Sequence, residues 1–176
     1  MNRTTLLPPV DIRRDGSGAT LLCLSRRDVP LCTGWVSIPG GRLLERQRGL
    51  AQLAAELRNE GPVGVEPAKW RRSLEEQAVT AAIGASHLDF TAHFACLADD
   101  LGRATDWLAE LIGRPALPKK RWRAMRRRQI AGAREQFAQP AHRICHLAYR
   151  QALGAGHPYA AAPLPGDYRA CRYRAA

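Results

Sequence analysis

Residues 48–61 read RGLAQLAAELRNEG and form a single helical stripe. The apolar residues recur at positions i, i+3, i+4 and i+7, namely Leu50, Leu53, Ala54 and Leu57. Side chains at this spacing lie on one face of an α-helix. A Gly-Pro pair at residues 61–62 ends the pattern, since neither residue continues a helix well. The stretch therefore predicts an amphipathic helix that begins directly after Gly49.

Two short apolar runs precede this helix, at residues 18–25 and 31–38. A polar connection that contains Asp28 and Pro30 separates them, and a Gly-Gly pair at residues 40–41 follows the second run. Short apolar runs around a turn-forming connection are typical of a β-hairpin. We therefore expect the two runs to pair with each other.

Residues 86–96, SHLDFTAHFAC, alternate between apolar and polar side chains. Such alternation over a short stretch predicts a β-strand with one buried face. The polar face carries His87, Asp89, Thr91 and His93. These groups could form an acid/base pair, although the sequence names no nucleophile beside them. If the strand lies at an open sheet edge, it could instead accept a peptide as an extra strand.

Four further helices are predicted, beginning near Pro67, Asp99 or Asp100, Pro118 and Pro140. The first of these runs to about Gly84, and the side chain of Asp99 or Asp100 can cap the second. The third helix of the chain has an apolar stripe of Leu101, Ala104, Leu108 and Leu111 or Ile112. Strands and helices do not alternate strictly, which favours an α+β fold with helices on one face of a mainly antiparallel sheet. Residues 161–176 show no periodicity, and we expect a disordered tail there.

Bulk composition restricts the class of protein. The 176 residues carry a formal net charge of +11, which favours acidic partners such as nucleic acid. The five cysteines contain no C-x-x-C pair, so the sequence indicates neither a disulfide framework nor a zinc knuckle. No run of about 18 apolar residues occurs, and the N-terminus lacks a signal-peptide pattern. A cytoplasmic protein is expected.

The order of these elements resembles the insulinase/pitrilysin-like zinc metallopeptidase family, which includes the mitochondrial processing peptidase and noncatalytic partner subunits. The segments that carry the resemblance are GLA at residues 49–51, LAELIGRPALP at residues 108–118 and GHPY at residues 156–159. Active members have an inverted zinc motif, H-x-x-E-H, in the first helix, whose two His bind Zn²⁺ while the Glu acts as general base. A Glu from a later helix completes the ligand set.

The resemblance places these functional positions on residues with different chemistry. The two His positions fall on Gln52 and Glu56, and the base falls on Ala55. The third ligand falls on Ala133, and an acidic position one heptad earlier falls on Arg126. Without imidazoles, a third carboxylate or a base, zinc hydrolysis has no machinery. The resemblance thus implies a degenerate, noncatalytic domain without a cofactor.

Domain boundaries follow from the same resemblance. Residues 1–12 are expected to be an N-terminal extension, residues 13–160 an incomplete insulinase-like domain and residues 161–176 the tail. Family domains continue beyond the GHPY segment, so the resemblance implies truncation and a need for a protein partner. That partner is expected to be an active metallopeptidase subunit or a second copy of the chain, with no membrane contact.

Two local patterns leave alternatives open. Residues 119–134 read KKRWRAMRRRQIAGAR, and an arginine cluster around a tryptophan suits phosphate backbones. An Arg-rich nucleic-acid-binding module, with Arg126, Arg127 and Arg128 as contacts, is therefore the alternative function. A solvated helix face explains the same charges. His142 and His146 stand four residues apart, a spacing that could hold a metal, but no third ligand is evident.

Overall fold

The computed structural model describes residues 9–26, 28–160 and 162–173. The chain divides into two compact units, Met1–Leu31 and Cys32–Ala176, and each is described by itself. The N-terminal eight residues of the predicted extension lie outside the described residues. Within the described part of the chain, no helix is long and apolar enough to cross a membrane.

The first unit is an antiparallel hairpin of β1 (Val10–Arg14) and β2 (Thr20–Leu24). The carboxylate of Asp15 closes its turn by accepting bonds from the backbone N–H groups of Ser17 and Ala19, both at 2.9 Å. The predicted boundary at residue 12 is wrong, because it falls inside β1. The predicted pairing of runs 18–25 and 31–38 is also wrong, because β2 pairs with β1.

The second unit contains a three-stranded sheet in the order β3–β5–β4. Its strands are β3 (Leu31–Pro39), β4 (Thr80–Ala85) and β5 (Asp89–Leu97). The second apolar run thus pairs with a strand some fifty residues later, not with its neighbour in sequence. A side chain at Gly34 of β3 would collide with the ring of Phe94 on β5, so a glycine permits this close pairing.

Three helices cover one face of the sheet: α1 (Leu50–Arg58), α2 (Pro67–Glu76) and α3 (Leu101–Gly113). The strands β4 and β5 are antiparallel, with Ile83 opposite Ala92. Both residues are buried with Ala55 of α1, Trp70 of α2 and Leu108 of α3. The apolar residues of β5 therefore face the helices, as predicted, whereas Leu88 precedes the strand and is 58% exposed. The fold is α+β.

The stripe of α3 is only partly buried. Ala104, Leu108 and Leu111 are buried, whereas Leu101 is 40% exposed. Leu101 is the first residue of α3 and follows a 3-10 helix at Ala98–Asp100, so its side chain lies beyond the edge of the core. Neither Asp99 nor Asp100 makes the predicted side-chain cap to this helix.

A second cluster of buried residues joins α1 to α4 (Lys119–Ala138) and α6 (Pro165–Ala170). It contains Trp122 and Met125 of α4 together with Tyr168 of α6 and Cys171. The prediction of a disordered tail is wrong for the described residues 162–173. A short helix has no visible periodicity, and two buried side chains suffice to fix it. Helix α5 (Pro140–Leu153) connects α4 to a 3-10 helix at Pro158–Ala160.

Candidate functional site

Gln52 and Glu56, two of the positions that the resemblance assigns to zinc chemistry, lie at the contact between α1 and α4. The carboxylate of Glu56 accepts bonds from Gln52 at 3.3 Å, from the guanidinium of Arg128 at 2.9 Å and from the amide of Gln129. We call these four residues the Glu56 network. Both oxygens of Glu56 are engaged within it, so this carboxylate is committed to protein donors.

The remaining two positions are packed with small side chains. Ala55 is completely buried against the sheet, and Ala133 is 5% exposed among Leu53 and Leu57 of α1. Ala133 lies one helical turn beyond Gln129, on the side of α4 that meets α1. The residues present therefore do not fit a Zn²⁺ ion, since donor atoms are missing where the third ligand and the base would stand. No group of three or more metal-ligating side chains suited to a metal ion occurs within residues 9–26, 28–160 and 162–173.

The polar face of β5 is used for structure. Asp89 accepts bonds from the hydroxyls of Ser37 on β3 and Ser86 in the β4–β5 turn, and Thr91 donates to it at 3.4 Å. The Ser37 bond and then the Ser86 bond hold the pKa of Asp89 below its ordinary value. Asp89 is therefore a poor proton acceptor. The predicted acid/base pair with His87 and His93 gains no support from this arrangement.

The proposed peptide-binding role of β5 is wrong because β5 is the central strand of the described sheet. Its two neighbours occupy both of its edges, so no peptide can add along it. The outer edge of β4 is also occupied at Ile83. Asn59, at the end of α1, accepts from the Ile83 N–H at 2.7 Å and donates to the Ile83 C=O at 2.9 Å. In an antiparallel pair, the backbone N–H and C=O of alternate residues point away from the paired strand. Those of Ile83 point away from β5, to the outer edge of β4, where Asn59 binds them.

Two of the three α4 arginines predicted to contact nucleic acid are engaged within the protein. Arg126 is half-buried and donates to the C=O of Cys171 at 3.0 Å. Arg128 is exposed but paired with Glu56. Only Arg127 of the three predicted contacts is both exposed and outside these two interactions. Two of the three central arginines of α4 therefore make contacts within the protein, which weakens the nucleic-acid alternative.

Three histidines from distant parts of the sequence meet in one cavity of about 170 Å³. We call it the histidine cavity, lined by Arg42, His87, His142, His146, Tyr149 and Tyr159. His87 lies in the β4–β5 turn and stacks on Tyr159, with ring centroids 4.4 Å apart and planes 9° apart. His142 and His146 of α5 each meet the ring of Phe137 edge-on. The sequence placed these histidines in two separate groups, and no spacing signal connected them.

Comparison with known proteins supports the fold. No protein-family model and no curated protein matches the chain. Among solved structures, an inactive peptidase M16 domain from Pseudomonas fluorescens matches 87% of this chain with a TM-score of 0.79 and 23% identity. The periplasmic protease PqqL from Escherichia coli matches 91% of this chain with a TM-score of 0.72 and 13% identity.

These likenesses establish the fold alone. The α+β arrangement of the chain matches that of M16 peptidase half-domains, the fold that the resemblance to insulinase-like proteins implied. The chain spans 38% of the length of the first of these proteins and 18% of the second. The cytoplasmic location, the likeness to the mitochondrial processing peptidase and the protein partner stay predictions.

Proposed function

We propose that the chain is a noncatalytic M16-like domain that acts through protein contacts, as the partner of an active metallopeptidase subunit. The observation that carries the proposal is the Glu56 network at the α1–α4 contact. Where hydrolysis would need two imidazoles, a carboxylate and a base, the chain has Gln52, Glu56, Ala133 and Ala55. The name of one structural relative, an inactive peptidase domain, supports the same conclusion.

The chemistry of hydrolysis explains why this substitution pattern matters. A catalytic zinc needs three protein ligands and an open position for the water that it activates. A general base must lie within hydrogen-bond reach of that water. The methyl group of Ala55 cannot take up a proton, and the carboxylate of Glu56 already accepts from Arg128 and Gln129. The scaffold therefore retains the position of the site without the groups that react.

Exposed apolar side chains supply the surface for a protein contact. In the second unit, Trp35 of β3 is 69% exposed, and Ile144 and Leu147 of α5 are 65% and 59% exposed. Ile144 and Leu147 are three residues apart and share one face of α5. An exposed apolar pair on one helix face can pack against an apolar surface of another protein and so be removed from water.

The absence of peptidase activity is tested on the purified chain. We expect substoichiometric zinc by elemental analysis and no cleavage of peptide substrates with or without added zinc. Glu56→Ala serves as the control, because it removes the only carboxylate at the degenerate positions. Chelator-sensitive cleavage that disappears in Glu56→Ala would show that the chain is an enzyme.

The partner role is tested with an active M16-type subunit from the same source. We expect the mixture to elute as one complex in size-exclusion chromatography and to cleave peptide faster than the active subunit alone. The double substitution Ile144→Glu with Leu147→Glu should abolish the complex. Arg127→Glu, at an exposed position of α4, should leave it intact. A mixture that elutes as two separate species at micromolar concentration would disprove the role.

A further inference from the structure

The histidine cavity is built from four separate segments of the second unit. Arg42 comes from the 3-10 helix Gly41–Leu43, and His87 comes from the β4–β5 turn. His142 and His146 come from α5, and Tyr159 comes from the 3-10 helix Pro158–Ala160. Tyrosine rings form part of the wall, and Cys145 contributes a thiol. Side chains capable of donating hydrogen bonds thus converge on one small space.

The charged side chains around the histidine cavity are positive. Burial and then the nearby Arg42 guanidinium lower the pKa of His87. Burial, followed by Arg150, His142 and Arg48, lowers the pKa of His146. The described residues that line the cavity include no Asp or Glu. Each charged group that faces these imidazoles is therefore cationic or becomes so on protonation.

Arg42 also has an unmet hydrogen-bonding requirement. Its Nε–H is buried and has no acceptor among the described residues. A buried donor on a charged group costs free energy unless an acceptor meets it, and the natural acceptors for a guanidinium are carboxylate and phosphate oxygens. An arginine that lacks an acceptor beside a cavity without acidic groups indicates a missing anion.

We infer that the histidine cavity binds a small oxyanion, either a phosphate group or a carboxylate, held by Arg42, His87 and His146. Its volume of about 170 Å³ admits such a group and little more. Tyr149 and Tyr159 add hydroxyl donors and an apolar wall. A divalent metal is disfavoured, although His142 and His146 have a suitable spacing, because Arg42, Arg48 and Arg150 repel a cation.

Anion binding is coupled to protonation. The bound anion replaces repulsion with attraction, so it raises the pKa of His87 and His146 above their values in the empty cavity. A ligand that raises the pKa of a group binds more tightly as the pH falls through that range. Affinity should therefore increase as the pH falls, and the increase should continue below about 6.5, the ordinary histidine pKa, because both pKa values in the empty cavity lie below it. Binding should also take up protons.

Sulfate is the appropriate first probe because its charge stays constant across this pH range. The full chain is titrated with sulfate, and with chloride at equal ionic strength, while the ring Cε1–H resonances of the histidines are followed by NMR. We expect the His87 and His146 resonances to shift saturably with sulfate and not with chloride. The His93 resonance, on β5 outside the cavity, should not move. Acetate, titrated at about pH 6.5, separates the two ligand sources: tighter sulfate binding indicates phosphate, and tighter acetate binding indicates carboxylate.

Single substitutions test which side chains bind the anion. Arg42→Gln should weaken sulfate binding at least about tenfold, the effect of losing one charge-assisted bond. Arg127→Gln, which removes an exposed arginine from α4, should change it by less than about twofold. If Arg42→Gln does not fold, His87→Phe replaces it, since a phenyl ring keeps the stack on Tyr159 and lacks the ring N–H groups.

Three results would overturn the inference. The first is an equal response to chloride and sulfate at matched ionic strength. The second is sulfate binding that neither Arg42→Gln nor His87→Phe weakens. The third is stoichiometric Zn²⁺ binding that survives when sulfate is added and is lost in His142→Gln with His146→Gln, which would make the cavity a metal site.

Discussion

Tyr168 packs directly against Gly49. The Cε1 atom of its ring lies 2.7 Å from the position that a Cβ on Gly49 would occupy. Gly49 precedes α1 and has a φ of 87°, in the left-handed region. The glycine thus combines a backbone conformation that other residues avoid with a surface that only a hydrogen atom fits. The contact joins α6 to the beginning of the helix that carries the degenerate zinc positions.

Gly49→Ala should therefore destabilise the protein by about 1–3 kcal/mol, through backbone strain and collision with Tyr168. Urea unfolding followed by circular dichroism measures the change. Gly132→Ala is the matched control, because Gly132 lies inside α4 with no atom near its missing Cβ. That control should gain up to about 1 kcal/mol from helix propensity. Equal stability for both variants would contradict the role of the Gly49–Tyr168 contact.

Leu108→Asp should abolish folding. Leu108 is 3% exposed between α3 and the sheet, and a carboxylate there has no described partner to offset its desolvation. Loss of the leucine alone costs about 2–5 kcal/mol, against a total stability of about 5–15 kcal/mol. Leu101→Asp is the comparison, because Leu101 is 40% exposed in the first turn of α3, where a negative charge is favourable. A folded, soluble Leu108→Asp protein would contradict this packing.

Asn59→Ala should cost about 1–3 kcal/mol, because it leaves the N–H and C=O of Ile83 without partners. Amide hydrogen exchange at Ile83 should accelerate more than at Ala92 on the neighbouring strand. Asn59→Asp keeps the acceptor for the Ile83 N–H and loses the donor to the Ile83 C=O. Its stability should therefore lie between that of the unaltered protein and that of Asn59→Ala. An unchanged exchange rate at Ile83 in Asn59→Ala would disprove the bridge.

Stability should decline in alkaline solution because of two buried acids. Burial raises the pKa of Cys171 from 9.0 to about 11 and that of Tyr168 from 10.0 to about 12. Since both neutral forms are favoured in the folded state, their contribution is present below the unfolded pKa values and is lost as the pH rises towards the folded ones. Unfolding by urea at several pH values measures this. Tyr168→Phe should flatten the dependence above about pH 10, and Tyr149→Phe, at an exposed tyrosine, should leave it unchanged.

Nucleic-acid binding should be weak and sensitive to salt. Log affinity for duplex DNA should fall with a slope of about −0.9 per neutralised phosphate, and binding should be lost near physiological ionic strength. Fluorescence anisotropy measures the slope, and Arg127→Glu is the informative variant. Arg126→Glu is unsuitable, because Arg126 donates to the C=O of Cys171 and its loss would disturb α6. Submicromolar binding at physiological salt that Arg127→Glu removes would make nucleic-acid binding the leading function.

Local patterns predicted the other helices and the strand β5 but missed β1, β4 and α6, and residues 80–84, which were assigned to the end of the second helix, lie in β4. The stripe of Leu50, Leu53 and Leu57 predicted α1, and the alternation after Ser86 predicted β5. Both patterns are visible in a short stretch of sequence because buried side chains recur about every 3.6 residues in a helix and every second residue in a strand. Proline positions marked where α2, α4 and α5 begin, but α2 ends at Glu76, before the predicted stop at Gly84. The α+β fold also followed from residue types and their spacing, whereas the assignment of zinc positions to Gln52, Ala55 and Glu56 rests on the resemblance to the insulinase-like family.

The sequence did not predict which elements contact each other in the fold. Whether residues 31–38 pair with β2 or with β5 depends on long-range contacts, such as Phe94 against Gly34, that no local pattern encodes. The order of α6 likewise depends on two side chains, Tyr168 and Cys171, that a distant core buries. A short helix without periodicity carries no local signal of that burial.

The sequence by itself determined most of the helices and the α+β class of the fold, because these properties depend on residue type and near-neighbour spacing. The tertiary structure alone decided that Glu56 is bound to Arg128 and Gln129 and that His87 meets His142 and His146 beside Arg42. Those contacts join residues about 40 to 100 positions apart, and only the packing of helices on the sheet brings them within reach of one another.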